Sequence, residues 1–154
     1  DHYKDTDYAM TPHFGAAEAA EMAGSGLISI QSHTYDMHQW PPYEDGSAAV
    51  RENILQLPGE SEESYVQALT EDFTRSRALL EDATGQPVDV LAYPAGQYST
   101  LAQVTLQSLG VHVTLSTNPG VNTVVKGLPQ TLYAMLRFGI TEDVSPEALL
   151  DMIR

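Results

Sequence analysis

The sequence predicts an α/β fold built on a short parallel sheet, and three observations carry that prediction. Short apolar segments of β character alternate with helical segments along the chain, which is the pattern of βαβ units with right-handed crossovers. The chain has 154 residues, and a domain of that size hides about 68–70% of the surface that its unfolded form exposes. Its composition, 42% hydrophobic and 18% charged, is that of a globular protein and not of a disordered one. No internal repeat, low-complexity tract or linker divides it, so residues 1–154 are expected to form one domain.

Each element has a local signature. Residues 1–10 are polar and aperiodic and predict a loop. Thr11-Pro12 has the form of a helix start, a hydroxyl cap followed by proline at the first helical position. The Ala-rich stretch Phe14–Ala23 continues it, and Gly24-Ser25-Gly26 closes it. Leu27–Ile30 is β-branched and apolar and reads as a buried strand that runs straight into Gln31-Ser32-His33. Residues 39–60, with Pro41, Pro42, Gly46, Pro58 and Gly59, form a long excursion of the kind that often carries function.

Ser61 caps a helix that runs to about Thr84. Its apolar stripe holds Tyr65, Val66, Leu69, Phe73 and Leu80, while Glu62, Glu63, Asp72, Arg75 and Glu81 fall largely elsewhere. Gly85 ends it. Val88–Ala92 is the next strand. Thr100 and Gln103 form a capping box for a helix over Leu101–Leu109, stopped by Gly110. Val111–Leu115 is a third strand, residues 117–130 form a loop, Leu136–Ile140 is a candidate fourth strand, and Ser145-Pro146-Glu147 opens a last helix. In parallel sheets, sites lie at the C-terminal ends of the strands. The segments to inspect are therefore Ser32–His38, Tyr93–Tyr98 and Ser116–Gly120.

Composition excludes several classes of function. Seven Lys+Arg against 21 Asp+Glu give a net charge of −14, which repels phosphate backbones and anionic lipid. Nucleic acid is therefore not expected as a partner. No apolar run reaches the roughly 18 residues of a transmembrane helix, so membrane insertion is not expected either. There is no cysteine, which removes disulfides, thiolate metal sites and thiol nucleophiles. A neutral substrate meets none of these obstacles. The chain starts at Asp1 with no signal peptide in view, so it is expected to come from within, or by processing of, something longer. A glycine-rich phosphate loop, a GxSxG elbow and an HExxH helix are all missing.

The strongest chemical feature is His33-Thr34-Tyr35-Asp36-Met37-His38 at a strand exit. Neutral imidazole binds zinc, nickel and cobalt, and a tight loop can bring two rings to one ion. The alternative is that both rings bond locally or face water. Asp36, between them, also fits a turn residue bonding its own backbone. Tyr93-Pro94-Ala95-Gly96-Gln97-Tyr98, at the next strand exit, allows a rigid turn whose N–H could face an oxyanion, although most such sequences are plain turns. Arg137, inside an apolar segment, either faces solvent or pairs within a site. His2, His13 and His112 read as surface or locally satisfied residues. Trp40, Tyr43 and Tyr35 could stack on sugar rings or pack under the long loop.

The run Gly26–His38 resembles the second motif of the polysaccharide deacetylases, the NodB-homology carbohydrate esterases. Its histidine spacing is similar to that of the poly-N-acetylglucosamine deacetylase branch. Ala92-Tyr93-Pro94-Ala95-Gly96 resembles the third motif, Gly110–Gly120 the stretch after it, and Leu136–Ile140 with the Ser145-Pro146 helix the family's C-terminal end. The resemblance implies a partial distorted (β/α) barrel lacking its first strand or strands. It implies a hydrolase that removes acetyl groups from an N-acetylated glycan with one divalent metal, zinc ahead of nickel or cobalt. By the same resemblance His33 and His38 are the metal ligands, and the Ala95 backbone N–H is the oxyanion donor. Tyr93, Pro94, Gly96, Tyr35 and Arg137 are the expected substrate contacts, and the location is extracellular or in the cell envelope.

The family's first motif, an adjacent Asp-Asp pair that supplies the general base and the third ligand, occurs nowhere in this sequence. Ala92 stands where an arginine is frequent, and no Leu-x-His occurs near the C-terminus. The segment is therefore expected to be inactive alone, by a factor on the order of 10²–10⁴ from the missing base. An open parallel edge should also invite a second copy to pair with it. Two other readings stand beside this one: a degenerate module that binds glycan without cleaving it, and an acidic interaction domain whose histidines are incidental.

Overall fold

A computed structural model describes residues 2–4, 6–44, 46 and 49–153. The loop readings at Asp1, Asp5, Asp45, Ser47 and Ala48 lie outside the described residues, as does Arg154. The architecture is α/β. Helix α1 spans Ala16–Gly24, α2 Glu62–Thr84, α3 Thr100–Ser108 and α4 Pro146–Met152. Strands β1 (Val90–Ala92) and β2 (Val113–Leu115) pair in parallel, with Val90 opposite Val113 and Ala92 opposite Leu115. Parallel bridges extend this ladder on both sides, Ser32 to Leu91 and Leu115 to Met135. The spatial order is thus Ser32, β1, β2, Met135, an arc of parallel chain with no further pairing on either side among the described residues.

Helix α2 is built as its pattern predicts. The Ser61 hydroxyl accepts the Ser64 N–H at 3.1 Å, and Gly85 closes the helix in the left-handed region at φ 67°. Tyr65, Leu69 and Phe73, spaced four apart, are at most 1% exposed. They pack against Leu91 and Tyr93 of the β1 strand and its exit, Ala102 and Leu106 of α3, and Val111, with Met37 and Ile54 brought in from the loops. Each large side chain buried this way contributes roughly 1.5–3 kcal/mol. Arg77 ties the layers together, donating to the Val88 carbonyl at 3.2 Å and the Leu109 carbonyl at 2.6 Å.

Several boundaries differ from the sequence reading. α1 starts at Ala16 and not at Thr11-Pro12, because the Glu18 carboxylate reaches back to the Gly15 N–H at 3.0 Å and fixes the first turn there. α3 is capped by Ser99, whose hydroxyl accepts the Ala102 N–H at 3.1 Å, one residue before the expected Thr100. The β1 and β2 ladders are shorter than Val88–Ala92 and Val111–Leu115.

Leu27–Ile30 is not a buried strand. Leu27 is 88% and Ile28 44% exposed, since no described chain lies on their outer side and only Ser32 joins the ladder. The Gln31 side chain does the bonding instead. Its Oε1 accepts the N–H groups of Asp89 (3.1 Å) and Val90 (3.0 Å), and its Nε2 donates to the Pro87 carbonyl at 3.2 Å. Leu136–Ile140 likewise forms no strand; the bridge falls at Met135. The last helix starts as expected, with the Ser145 hydroxyl accepting the Ala148 N–H at 3.2 Å.

Candidate metal centre

His33 and His38 leave the end of the Ser32 bridge on one tight loop. Their ring centroids lie 5.3 Å apart, with the planes at 87°. His33 Nδ1 is 2.8 Å from the Ala92 carbonyl oxygen, and His38 Nδ1 is 2.9 Å from that of Glu52. A carbonyl oxygen only accepts, so both rings carry their proton on Nδ1 and leave the Nε2 lone pair outside these bonds. This is the arrangement in which protein imidazoles bind metals. Two imidazoles on one tetrahedral ion, with bonds of about 2.0–2.1 Å, place their centroids about 5 Å apart, a separation that these rings match. Among the described residues no third His, Cys, Asp or Glu joins the pair.

The surroundings of His33 favour the neutral form of its imidazole. Lost hydration pushes its pKa below the usual imidazole value. The Ala92 carbonyl pulls partly back, and the charges of His38 and Arg137 push the same way as burial. Arg137 therefore belongs to this neighbourhood although its side chain is exposed. Asp36 turns away toward Lys4 (3.0 Å) and accepts from Gln39 (3.0 Å). His112 bonds Asp89 at 3.2 Å, with its side chain 71% exposed.

The Tyr93–Gly96 turn follows directly on the carbonyl that holds His33. Ala95 sits at φ 52° and Gly96 at φ 68°. The N–H groups of Gly96 and Gln97 bond the carbonyls of Tyr93 and Pro94, which leaves that of Ala95 out of the turn's own bonds, on an exposed residue. Gly96 is required: a Cβ there would lie 2.1 Å from the Thr117 hydroxyl and 2.8 Å from its backbone N. Tyr93 is fully buried and Pro94 nearly so, and Tyr93 stacks on Tyr98 with centroids 4.8 Å apart. Their side chains therefore support the turn from within the core.

Tyr35 lines a cleft of about 240 Å³ together with His33 and Ser76, and its ring lies 4.0 Å from the Arg75 guanidinium carbon. It also borders a second cleft of about 310 Å³, of mixed lining and without a histidine. A smaller cleft of about 210 Å³, lined by Tyr3, Met10, His38 and Trp40, opens beside the His38 ring. Behind it Tyr8 packs on Trp40 and Tyr43, at 5.2 and 4.3 Å.

The sequence reading missed Asp72. It falls off the apolar stripe of α2, yet its carboxylate accepts the Tyr35 N–H at 2.9 Å and the Asp36 N–H at 2.7 Å. The spacing Asp72–Ser76, two small polar residues one turn apart beside an apolar stripe, is the only trace of this in the sequence.

The structure is similar to a de-N-acetylase from Aggregatibacter actinomycetemcomitans (TM-score 0.75, 18% identity, 98% of this chain and 57% of that one). It is also similar to IcaB from Ammonifex degensii (0.65, 25%, 89% and 52%) and to the BpsB deacetylase domain from Bordetella bronchiseptica (0.61, 23%, 81% and 48%). The chain thus spans about half the length of these relatives, and the arc of parallel strands is part of their distorted barrel. A comparison with functionally curated proteins gives no match. The polysaccharide deacetylase family matches residues 3–114, a span that holds both histidines and the Ala95 turn, and the chain belongs to that family.

Proposed function

We propose that this chain is the histidine-bearing part of a metal-dependent deacetylase acting on an N-acetylated glycan. The observation that carries this reading is the paired Nδ1–H donation of His33 and His38 to main-chain carbonyls, with their rings 5.3 Å apart. His33 and His38 would hold a divalent ion, zinc ahead of nickel or cobalt, through Nε2. When bound, such an ion polarises an acetyl carbonyl and lowers the pKa of its water. The Ala95 N–H would donate to the oxygen that gains charge as the acetyl carbon becomes tetrahedral. The turn below it, rigid through Gly96 and the buried Tyr93 and Pro94, would hold that donor in place. Arg137 would set the local positive potential, and the Trp40 cleft beside His38 would receive a sugar ring. A glycan substrate places the work outside the cytoplasm or in the cell envelope, and no described helix is long and apolar enough to cross a membrane.

Metal titration of the purified chain tests this. Zinc uptake is expected at one ion per chain, and His33→Ala or His38→Ala should each abolish it; uptake unchanged in both variants would overturn the reading. Acetate release from N-acetylglucosamine oligomers by the protein in its full coding length tests the reaction itself.

The second reading, a glycan-binding module without catalysis, is favoured by one observation: among the described residues no third ligand joins the histidines. Glycan binding with no acetate release by the full-length protein would select it. Both readings are compatible with one domain over residues 1–154 and with self-association through the open edge at Leu27–Ser32.

A further inference from the structure

We propose that Asp72 and Ser76 of α2 are positioning residues that hold the His33–His38 loop in the one conformation from which both imidazoles reach a common ion, an inference that rests on the metal reading above. The loop leaves the ladder at Ser32, so its next N–H groups have no strand partner. Three of them in succession are taken by side chains. The Ser32 hydroxyl accepts the Thr34 N–H at 3.1 Å and is itself 2.9 Å from the Ser76 hydroxyl, with both serines at most 5% exposed. Asp72, one helical turn earlier, accepts the Tyr35 and Asp36 N–H groups with one oxygen each, at 2.9 and 2.7 Å.

The clamp holds an unfavourable backbone. Thr34 is β-branched and sits at φ 76°, a conformation that persists only where its surroundings over-determine it. Relaxing it would rotate the peptides between the two histidines. The rings would then lose the common direction that ligation demands to within about 0.5 Å. The far end of the loop is held separately, by the buried Met37 and by the His38 bond to Glu52. The α2 clamp therefore governs the His33 half and the turn between the rings.

Asp72→Asn separates this role from plain stability. The substitution keeps the shape but offers one acceptor to two donors and turns an NH₂ against an N–H. In the metal-free protein, the amide signals of Tyr35 and Asp36 should lose their exchange protection, and the imidazole nitrogen signals of His33 and His38 should broaden. Zinc should bind 10–100-fold more weakly, the usual effect of removing an outer-shell partner. Leu106→Ala, a core variant on α3, should lower the melting temperature and leave those signals and the zinc affinity of the folded protein unchanged. Should Asp72→Asn not fold, Ser76→Ala is read in the same way at the Thr34 amide. Wild-type amide protection and zinc affinity in the folded variant would overturn the proposal. If the wild-type protein takes up no zinc, the metal reading fails, and the clamp stands or falls on the metal-free amide and imidazole signals alone.

Discussion

Tyr65 shows how one buried hydroxyl governs a span of pH. It donates to the Ile54 carbonyl at 2.6 Å, and burial pushes its pKa from the usual tyrosine value near 10 up to about 12. A pKa raised by folding gives stability that is fully present below about 10 and is lost as pH rises toward 12. Tyr65→Phe should remove that alkaline loss, and should cost about 1–2 kcal/mol at neutral pH by leaving the carbonyl unpaired. Urea midpoints at pH 7, 10 and 11.5 measure both. His33 works in the opposite direction. Its pKa is lowered by folding, so its contribution is present above the usual imidazole value near 6.5 and lost as pH falls below it. Zinc affinity should decline along the same descent, and a pH series of titrations follows it. Gly96→Ala should destabilise by more than about 2 kcal/mol, because the added methyl meets Thr117 backbone as well as side chain.

Among the elements, α2 carries the most weight, and it was also the most legible. Its cap, its stop and its stripe are local signals, each resolved within a turn or two of sequence. Ser61→Ala should cost about 1 kcal/mol through the lost cap. Gly85→Ala should cost a similar amount through conformation alone, since nothing lies within 4 Å of the added carbon; thermal melts compare the two. Signals that depend on partners far along the chain were not legible. Asp72 lies 37 residues from Tyr35, and amphipathic sorting places any carboxylate on the water side. Leu27–Ile30 has strand composition, but composition does not supply the neighbour that a strand requires. The histidine pair was readable as two residues at a strand exit. That Ala92 and Glu52 fix their tautomers depends on main-chain carbonyls, which no residue type reveals.

At the scale of the whole molecule, the open arc leaves Leu27 and Ile28 exposed at one side, and such an edge favours association. Light scattering should show a concentration-dependent dimer or larger species, and Leu27→Lys should move the population toward monomer. The net charge of −14 opposes this at low salt, so association should strengthen as added sodium chloride shortens the screening length. Gln31 stands at the same edge. Its amide takes the place of a peptide unit, meeting two N–H groups and a carbonyl of the chain leading into β1. A bare ladder could slide by two residues and keep its faces, but then Ser29 or His33 would arrive where the amide is needed, and neither can satisfy all three groups. Gln31 is in effect an index pin: it sets the count from which His33 emerges at the rim, so the placement of the first imidazole is decided two residues before it.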